Sequence, residues 1–366
     1  MVMMKMLLIM EDESKNLIKV FILVSVSLSY TYFIVGKNIP KGKIRFLSLL
    51  PVFYYFTVLP LTISSIVVRG TLSFFITWLA NFKLILFSFG QGPLSSDQSF
   101  ISFVSVCCLP VNIRQDSPLK SLHQTMKIDK TKTLTPKNSK KPLLSLPVII
   151  FLGLLVLHVY CNHKQSINPS FLLVLYLYLF LEILLALGAT LARVMLGSEL
   201  EPQSNEPYLS TSLQDFWGKR WNLMVSSILR PTVYHPVCHM SAHIFGRNWA
   251  SVPAVLATFV VSGLMHEQIF YYMNNMEPTW EVTFYFVIHG ICTAKEVGMK
   301  KALNGKWQLH RLVSGPLTLG FVVVTTMWYF LPPALRSGSD LGIKEFGSAL
   351  EFFEEKLISN VLTSTS

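Results

Sequence analysis

The chemistry-bearing residues of this chain sit inside a stretch that otherwise avoids them. Residues 249–274 read WASVPAVLATFVVSGLMHEQIFYYMN: polar side chains are nearly absent until Ser262, and then His266, Glu267 and Gln268 arrive together. An imidazole held away from water stays neutral, because desolvation disfavours its charged form, and a neutral imidazole can accept a proton. Ser262 lies one helical turn before His266, and Gly263 is on the same side, where a missing side chain lets a backbone or a ligand come close. Glu267 points about 100° away from His266 on a helix, which suits tuning or orienting the site better than reacting in it. A lone histidine on a helix is more often a hydrogen-bonded core residue than a base. Three polar residues in mid-span are costly enough to favour a use for His266. His289, in IHG, is the rival base, and there the structural reading is preferred.

Residues 208–230, YLSTSLQDFWGKRWNLMVSSILR, form the second informative segment. Leu213, Phe216, Trp217, Trp221 and Met224 recur at helical spacing beside Asp215, Lys219, Arg220 and Asn222, which predicts an amphipathic helix with aromatic anchors at or just inside the membrane interface. Asn222 among tryptophans is a neutral, rigid donor, suited to stabilising charge that develops on a carbonyl oxygen. His235, His239 and His243 repeat every four residues. With Pro236 inside the run and no second histidine box, they read as an interfacial polar face, not a metal site. Glu182 and Arg193 fall on nearly the same helix face, and Lys83 is a candidate partner for Glu182.

The elements that must position these residues are membrane spans. Of 366 residues, 51% are hydrophobic and only 14% charged, where a soluble domain has roughly 25% charged; the mean hydropathy is +0.48. The apolar stretches are long enough to cross a hydrocarbon core about 30 Å thick, and a backbone in lipid must be helical or barrel-forming. Period-2 patterning is absent. The expected fold is an all-α polytopic membrane protein of about eight spans, at 17–35, 46–68, 71–90, 143–160, 169–195, 249–274, 281–298 and 312–331. Re-entrant or interfacial helices are expected to enclose an intramembrane chamber. Only Arg69 and Gly70 separate the second and third spans, which predicts a tight hairpin there. The run 101–113 is too short to span. By organisation the chain divides into a tail at 1–16, N-terminal helices at 17–113, a basic loop at 114–142, a membrane core at 143–331 and a tail at 332–366. Residues 1–9 read as a poorly ordered extension, with no cleavable signal peptide.

The net charge of +11 does not indicate nucleic acid, because the basic residues sit between apolar spans. With both termini lumenal, cytosolic segments hold 20 Lys or Arg against 7 in lumenal ones, as the positive-inside rule requires. The five cysteines have neither metal spacing nor a disulfide framework.

Two of these segments carry a family resemblance. Phe216-Trp217-Gly218-Lys219-Arg220-Trp221-Asn222 resembles the aromatic motif ending in Asn of membrane-bound O-acyltransferases, and Ser262-Gly263-Leu264-Met265-His266-Glu267 resembles the segment with that superfamily's histidine. With WLANFKLILFSFGQGPLSSD at 78–97 and CCLPVNI at 107–113, the chain is most similar to the plant wax synthases (long-chain-alcohol O-fatty-acyltransferases) and their sterol-acylating relatives, from about Met10 to Pro333. The resemblance implies acyl-CoA as donor, a long-chain alcohol or sterol as acceptor, no cofactor beyond acyl-CoA as co-substrate, and the endoplasmic reticulum membrane as location. It carries over Asn222 and His266 as the catalytic pair. Trp217, Trp221, Ser262, Gly263 and Glu267 are then expected around the substrate, with Lys219 and Arg220 towards coenzyme A phosphates or lipid headgroups.

The expected reaction is direct transfer in a ternary complex, and no Gly-x-Ser-x-Gly nucleophile elbow is present. One tension follows. The assumed topology leaves Asn222 cytosolic and His266 roughly 25 Å along its span, so either 205–248 dips inward or the span bends near Pro253. The competing readings are a transporter or lipid-binding protein using the same polar residues, and a metal-dependent lipid oxidase using the His235 cluster.

Overall fold

The structure is a computed structural model that describes residues 2–111, 146–162, 169–197, 200–275, 277–303 and 309–338. The basic loop 114–142 and the end of the C-terminal tail lie outside the described residues. Among the described residues there is no β-strand, only helix. In chain order the helices are α1 (Val2–Ser29), α2 (Gly36–Asn38), α3 (Lys43–Ser48), α4 (Leu50–Val58), α5 (Ile66–Leu72), α6 (Asn81–Ser88), α7 (Phe100–Cys108), α8 (Leu146–Asn162) and α9 (Pro169–Leu196). They continue with α10 (Leu213–Asp215), α11 (Leu223–Leu229), α12 (His235–Phe245), α13 (Ser251–Asn274), α14 (Glu281–Ala302), α15 (Arg311–Thr325) and α16 (Leu331–Arg336). Helix α1 begins at Val2, so the stretch expected as a disordered extension is helical. Wider π-helical turns interrupt the pattern at Tyr30–Val35, Ser73–Ala80, Phe216–Arg220, Arg230–Tyr234 and Thr326–Phe330. Such turns concentrate at functional sites, and three of these five border the motif segment or α15.

Six stretches are long and apolar enough to cross a membrane: Asp12–Asn38, Lys43–Thr62, Ile66–Ser88, Ser170–Leu196, Ser251–Met273 and Arg311–Arg336. The remaining two expected spans are helices as well, α8 of 17 residues and α14 of 22. The chain is a multi-pass membrane protein.

The hairpin expected at Arg69–Gly70 is displaced. The chain turns at 63–65, and the Ser65 side chain caps α5 by accepting from the Val68 amide. The Glu13 carboxylate accepts from the Ser64 and Ser65 amides. Arg69 lies inside α5 and folds back on the turn, donating to the carbonyls of Ile63 (2.7 Å) and Ser64 (3.3 Å). The charge marks the turn from the side, where it satisfies the turn's open carbonyls.

The short run at 100–108 is not at the edge of the protein. Phe103, Val106 and Cys107 are fully buried in one cluster with Leu28, Val35, Phe56, Leu84 and Phe87. Lys83 is also fully buried, and its Nζ donates to the carbonyls of Val106 (2.5 Å) and Leu109 (2.7 Å). The pairing of Lys83 with Glu182 is therefore not formed: Glu182 accepts from the Ser204 hydroxyl at 3.1 Å.

Helices α13 and α14 make the tightest pair. A side chain on Gly263 would stand 2.9 Å from the Thr283 Cα, and one on Gly290 would stand 2.8 Å from the Phe259 Cβ. Gly263 thus admits a neighbouring helix rather than a ligand. Glu267 is buried and its Oε1 accepts from the Thr283 amide (3.2 Å) in the first turn of α14. An anionic cap at a helix N-terminus is favourable, which accounts for the mid-span carboxylate.

Candidate active site

His266 projects from α13 into an aromatic cluster. Its ring centroid lies 4.5 Å from that of Phe286 on α14 and 5.7 Å from that of Phe330 beyond α15. Its Nδ1 is 2.8 Å from the Ser262 carbonyl oxygen. A backbone carbonyl can only accept, so Nδ1 carries the proton and donates. The lone pair of the neutral ring then resides on Nε2, which makes Nε2 the atom able to take a proton.

The segment 208–230 is not one amphipathic helix. It is broken at Trp221–Asn222, where Asn222 adopts the left-handed conformation (φ 39°, ψ 66°) and caps α11, its Oδ1 accepting from the Val225 amide at 3.3 Å. Asparagine is among the few non-glycine residues that take this conformation readily, and it is a preferred helix cap. The cap uses the amide oxygen and fixes the orientation of Nδ2, which carries two donors. The broken segment is tied back on itself: Ser226 Oγ donates to the Trp217 carbonyl at 3.2 Å, and Arg230 donates to the Gly218 carbonyl at 2.7 Å.

Trp217 connects this knot to the histidine helices. Its ring packs against Phe259 on α13 (5.5 Å between centroids) and Phe286 on α14 (6.0 Å). Phe259 and His266 are seven residues apart, on one face of α13. Trp217 and His266 also share an aromatic neighbour, Phe286. Among the described residues no hydrogen bond joins Asn222 to His266: Asn222 bonds the Val225 amide and His266 the Ser262 carbonyl, while Trp217 ties the segment to α13 and α14. Pro253 is the third residue of α13, where a missing N–H interrupts no helical bond, and the helix runs unbroken to Asn274.

The structure disposes the other expected site residues differently. Trp221 stacks on Phe216 (5.7 Å, 12°) and on Tyr178 of α9 (5.7 Å, 27°), and so anchors the far side of the knot. Arg220 is engaged internally. It pairs with Asp215 at 2.8 Å and donates to the carbonyls of Asn205 and Glu206. Burial alone would raise the Asp215 carboxyl; the hydrogen bonds from Arg220 and the Thr211 amide outweigh it and hold the group below its ordinary range. Lys219 is exposed. His235, His239 and His243 are exposed on α12, and among the described residues no group of His, Cys, Asp or Glu could hold a metal ion.

A small open pocket lies at the far end of α13, lined by Glu267, Phe270, Tyr271, Glu277, Pro278 and Arg336, among others; neither His266 nor Asn222 lines it. Phe330 contacts both the His266 ring and Phe270 (5.6 Å), so an aromatic pair separates the imidazole from this opening. Sequence reasoning missed a polar chain beside the cluster. Trp217 Nε1 is 3.1 Å from His289 Nδ1, His289 Nε2 is 2.8 Å from Thr325 Oγ1, and Thr325 Oγ1 is 2.6 Å from the Phe321 carbonyl. A threonine pair, Thr325-Thr326, inside an apolar span was the available signal.

Comparison with known proteins gives the family of the chain. The family model described as "Membrane bound O-acyl transferase family" matches residues 200–288, the stretch that contains the knot and α13. An acyl-CoA–sterol O-acyltransferase of Arabidopsis thaliana is 44% identical over 87% of this chain and 90% of its own length. A probable long-chain-alcohol O-fatty-acyltransferase of the same plant is 44% identical over 90% of this chain and 92% of its own. The long-chain-alcohol O-fatty-acyltransferase of Simmondsia chinensis is 42% identical over 95% and 98%. With identities of this size over nearly the whole length, the chain belongs to the wax synthase-like, long-chain-alcohol O-fatty-acyltransferase family of membrane-bound O-acyltransferases.

Proposed function

We propose that the protein esterifies a long-chain fatty alcohol with the acyl group of acyl-CoA, making a wax ester in the endoplasmic reticulum membrane. The observation that carries the mechanism is the His266 Nδ1 bond to the Ser262 carbonyl, which leaves Nε2 as a proton acceptor in an aromatic, water-poor setting. The alcohol O–H donates to Nε2. As the proton moves, the alcohol oxygen attacks the thioester carbonyl carbon, the C–S bond breaks, and the coenzyme A sulfur leaves with the proton that His266 returns. Atoms and electrons balance with acyl-CoA as the sole co-substrate. Asn222 Nδ2, oriented by the cap, orients the thioester or stabilises the developing oxyanion. Exposed Lys219 meets coenzyme A phosphates from the cytosolic side.

The acceptor assignment rests on the several relatives named for long-chain alcohols. A sterol acceptor is the second reading, supported by the sterol O-acyltransferase at equal identity. Both are tested by expressing the chain in yeast that lacks its own esterifying enzymes and supplying each alcohol class. Wax esters are expected from fatty alcohols. Sterol esters alone would move the assignment to the second reading. In the same microsomes His266→Ala is expected to lose ester formation by about 10²–10⁴-fold at unchanged protein level; undiminished ester output would remove His266 as the base.

A further inference from the structure

We infer that His289 is a positioning residue: an imidazole locked in one neutral tautomer that pins the Asn222-bearing knot to α14, through Trp217 on one side and Thr325 on the other. The inference rests on the proposed acyl transfer and assigns to that reaction a residue outside the expected pair.

The locking follows from what each partner can do. An indole N–H only donates, so His289 Nδ1, 3.1 Å from Trp217 Nε1, must accept. The ring is then protonated at Nε2, which donates to Thr325 Oγ1 at 2.8 Å. The Thr325 hydroxyl passes its own proton towards the Phe321 carbonyl at 2.6 Å. Donors and acceptors alternate from the indole to a backbone carbonyl, so the ring's one basic lone pair, on Nδ1, is taken up by the indole N–H. His289 is fully buried. For it to take a proton at Nδ1 would set two donors against each other and expel Trp217. His266, one helix away, has the opposite tautomer and a free Nε2. The two histidines therefore have different work.

The pin acts on Asn222 because the knot moves as a unit. Ser226 and Arg230 tie α11 and the turn after it to the Trp217 and Gly218 carbonyls, and Asn222 caps α11 between them. The same segment has a second tie to α14 at its other end, where the Gln214 amide donates to Glu296. Glu296 is seven residues after His289, hence on the same face of α14. Loss of His289 should leave the segment docked at Glu296 while Asn222 shifts. A displacement of about 1 Å at a reacting group can cost ~10²-fold in rate.

The test compares His289→Ala with His289→Gln, beside His266→Ala and His266→Gln, in microsomes matched for protein. Glutamine can accept from Trp217 through Oε1 and donate to Thr325 through Nε2, but it is no base. His289→Gln is expected to keep activity within a few-fold, and His289→Ala to lose about 10²-fold, in kcat more than in KM for the alcohol. Neither His266 variant is expected to be rescued. Full activity in His289→Ala, or loss in His289→Gln as deep as in His289→Ala, would overturn the inference. An active His266→Ala together with an inactive His289→Gln would instead overturn the assignment of His266 as base. If the alanine protein fails to accumulate, Trp217→Phe and Thr325→Val each break one end of the pin, and both should lower kcat; unchanged kcat in both would also overturn it.

Discussion

Three polar side chains of the N-terminal half and His266 of the C-terminal half all bond backbone carbonyls, with different effects. In the N-terminal half, prolines leave carbonyls without a helical partner, because proline has no N–H to offer four residues on. The Gly36 carbonyl faces Pro40, the Phe56 carbonyl faces Pro60, and the Val106 carbonyl faces Pro110. Each receives a side-chain donor: Arg45 at 3.2 Å, Thr77 at 2.7 Å and Lys83 at 2.5 Å. These groups complete the backbone. In the C-terminal half, His266 bonds the carbonyl of Ser262, whose normal helical partner is the amide of His266 itself within an unbroken helix. That bond repairs nothing; its effect is to set the tautomer of a ring. Burial of an ionisable group is thus not the mark of chemistry here. What sets His266 apart is that its side-chain bond fixes a tautomer and leaves a ring nitrogen able to accept a proton.

Substitutions can break or sharpen this contrast. The largest effect belongs to His266→Ala, which should lose ester formation by about 10²–10⁴-fold while the protein still accumulates. Lys83→Met should do the reverse. It strips a charged donor from two carbonyls, a loss of about 3 kcal/mol, so the thermal midpoint falls while the folded fraction keeps its specific activity. Adding Pro110→Ala restores an N–H for Val106 and should recover part of the loss; strict additivity in that double-mutant cycle would deny that Lys83 stands in for the proline. Thr77→Val removes a neutral donor from the Phe56 carbonyl and should cost less, about 1–2 kcal/mol. Smallest is Asp215→Asn, which weakens the partly exposed pair with Arg220 by about 1 kcal/mol or less. Because the native Asp215 carboxyl sits below its ordinary range, that contribution is present above about pH 4 and fades as pH falls through the native value. A pH-stability curve of the variant should therefore converge on the parent at low pH.

The membrane class was legible because long apolar runs have one solution in lipid. His266 was legible because a polar triplet in mid-span is costly. The hairpin between the second and third spans was misplaced because Arg69, read as a loop residue, is a helical side chain reaching back to the turn. The continuous helix expected at 208–230 was wrong for a related reason. Aromatic spacing reports which face packs, whereas the break depends on the φ of Asn222, which spacing does not encode. Gly263 and Glu267, expected around the substrate, join α13 to α14. Both were correctly read as unusual, but a glycine that admits a helix and one that admits a ligand look alike in sequence. The pin through His289 joins residues 72 and 36 positions apart, and no local pattern reports such a contact.

The most direct test is an experimental structure with a fatty alcohol and a thioether analogue of acyl-CoA bound. The expected result places the alcohol oxygen about 2.6–3.2 Å from His266 Nε2, with Nδ1 still on the Ser262 carbonyl and the analogue's carbonyl facing Asn222 Nδ2. An alcohol oxygen seated against His289, with Trp217 displaced from its Nδ1, would contradict the account.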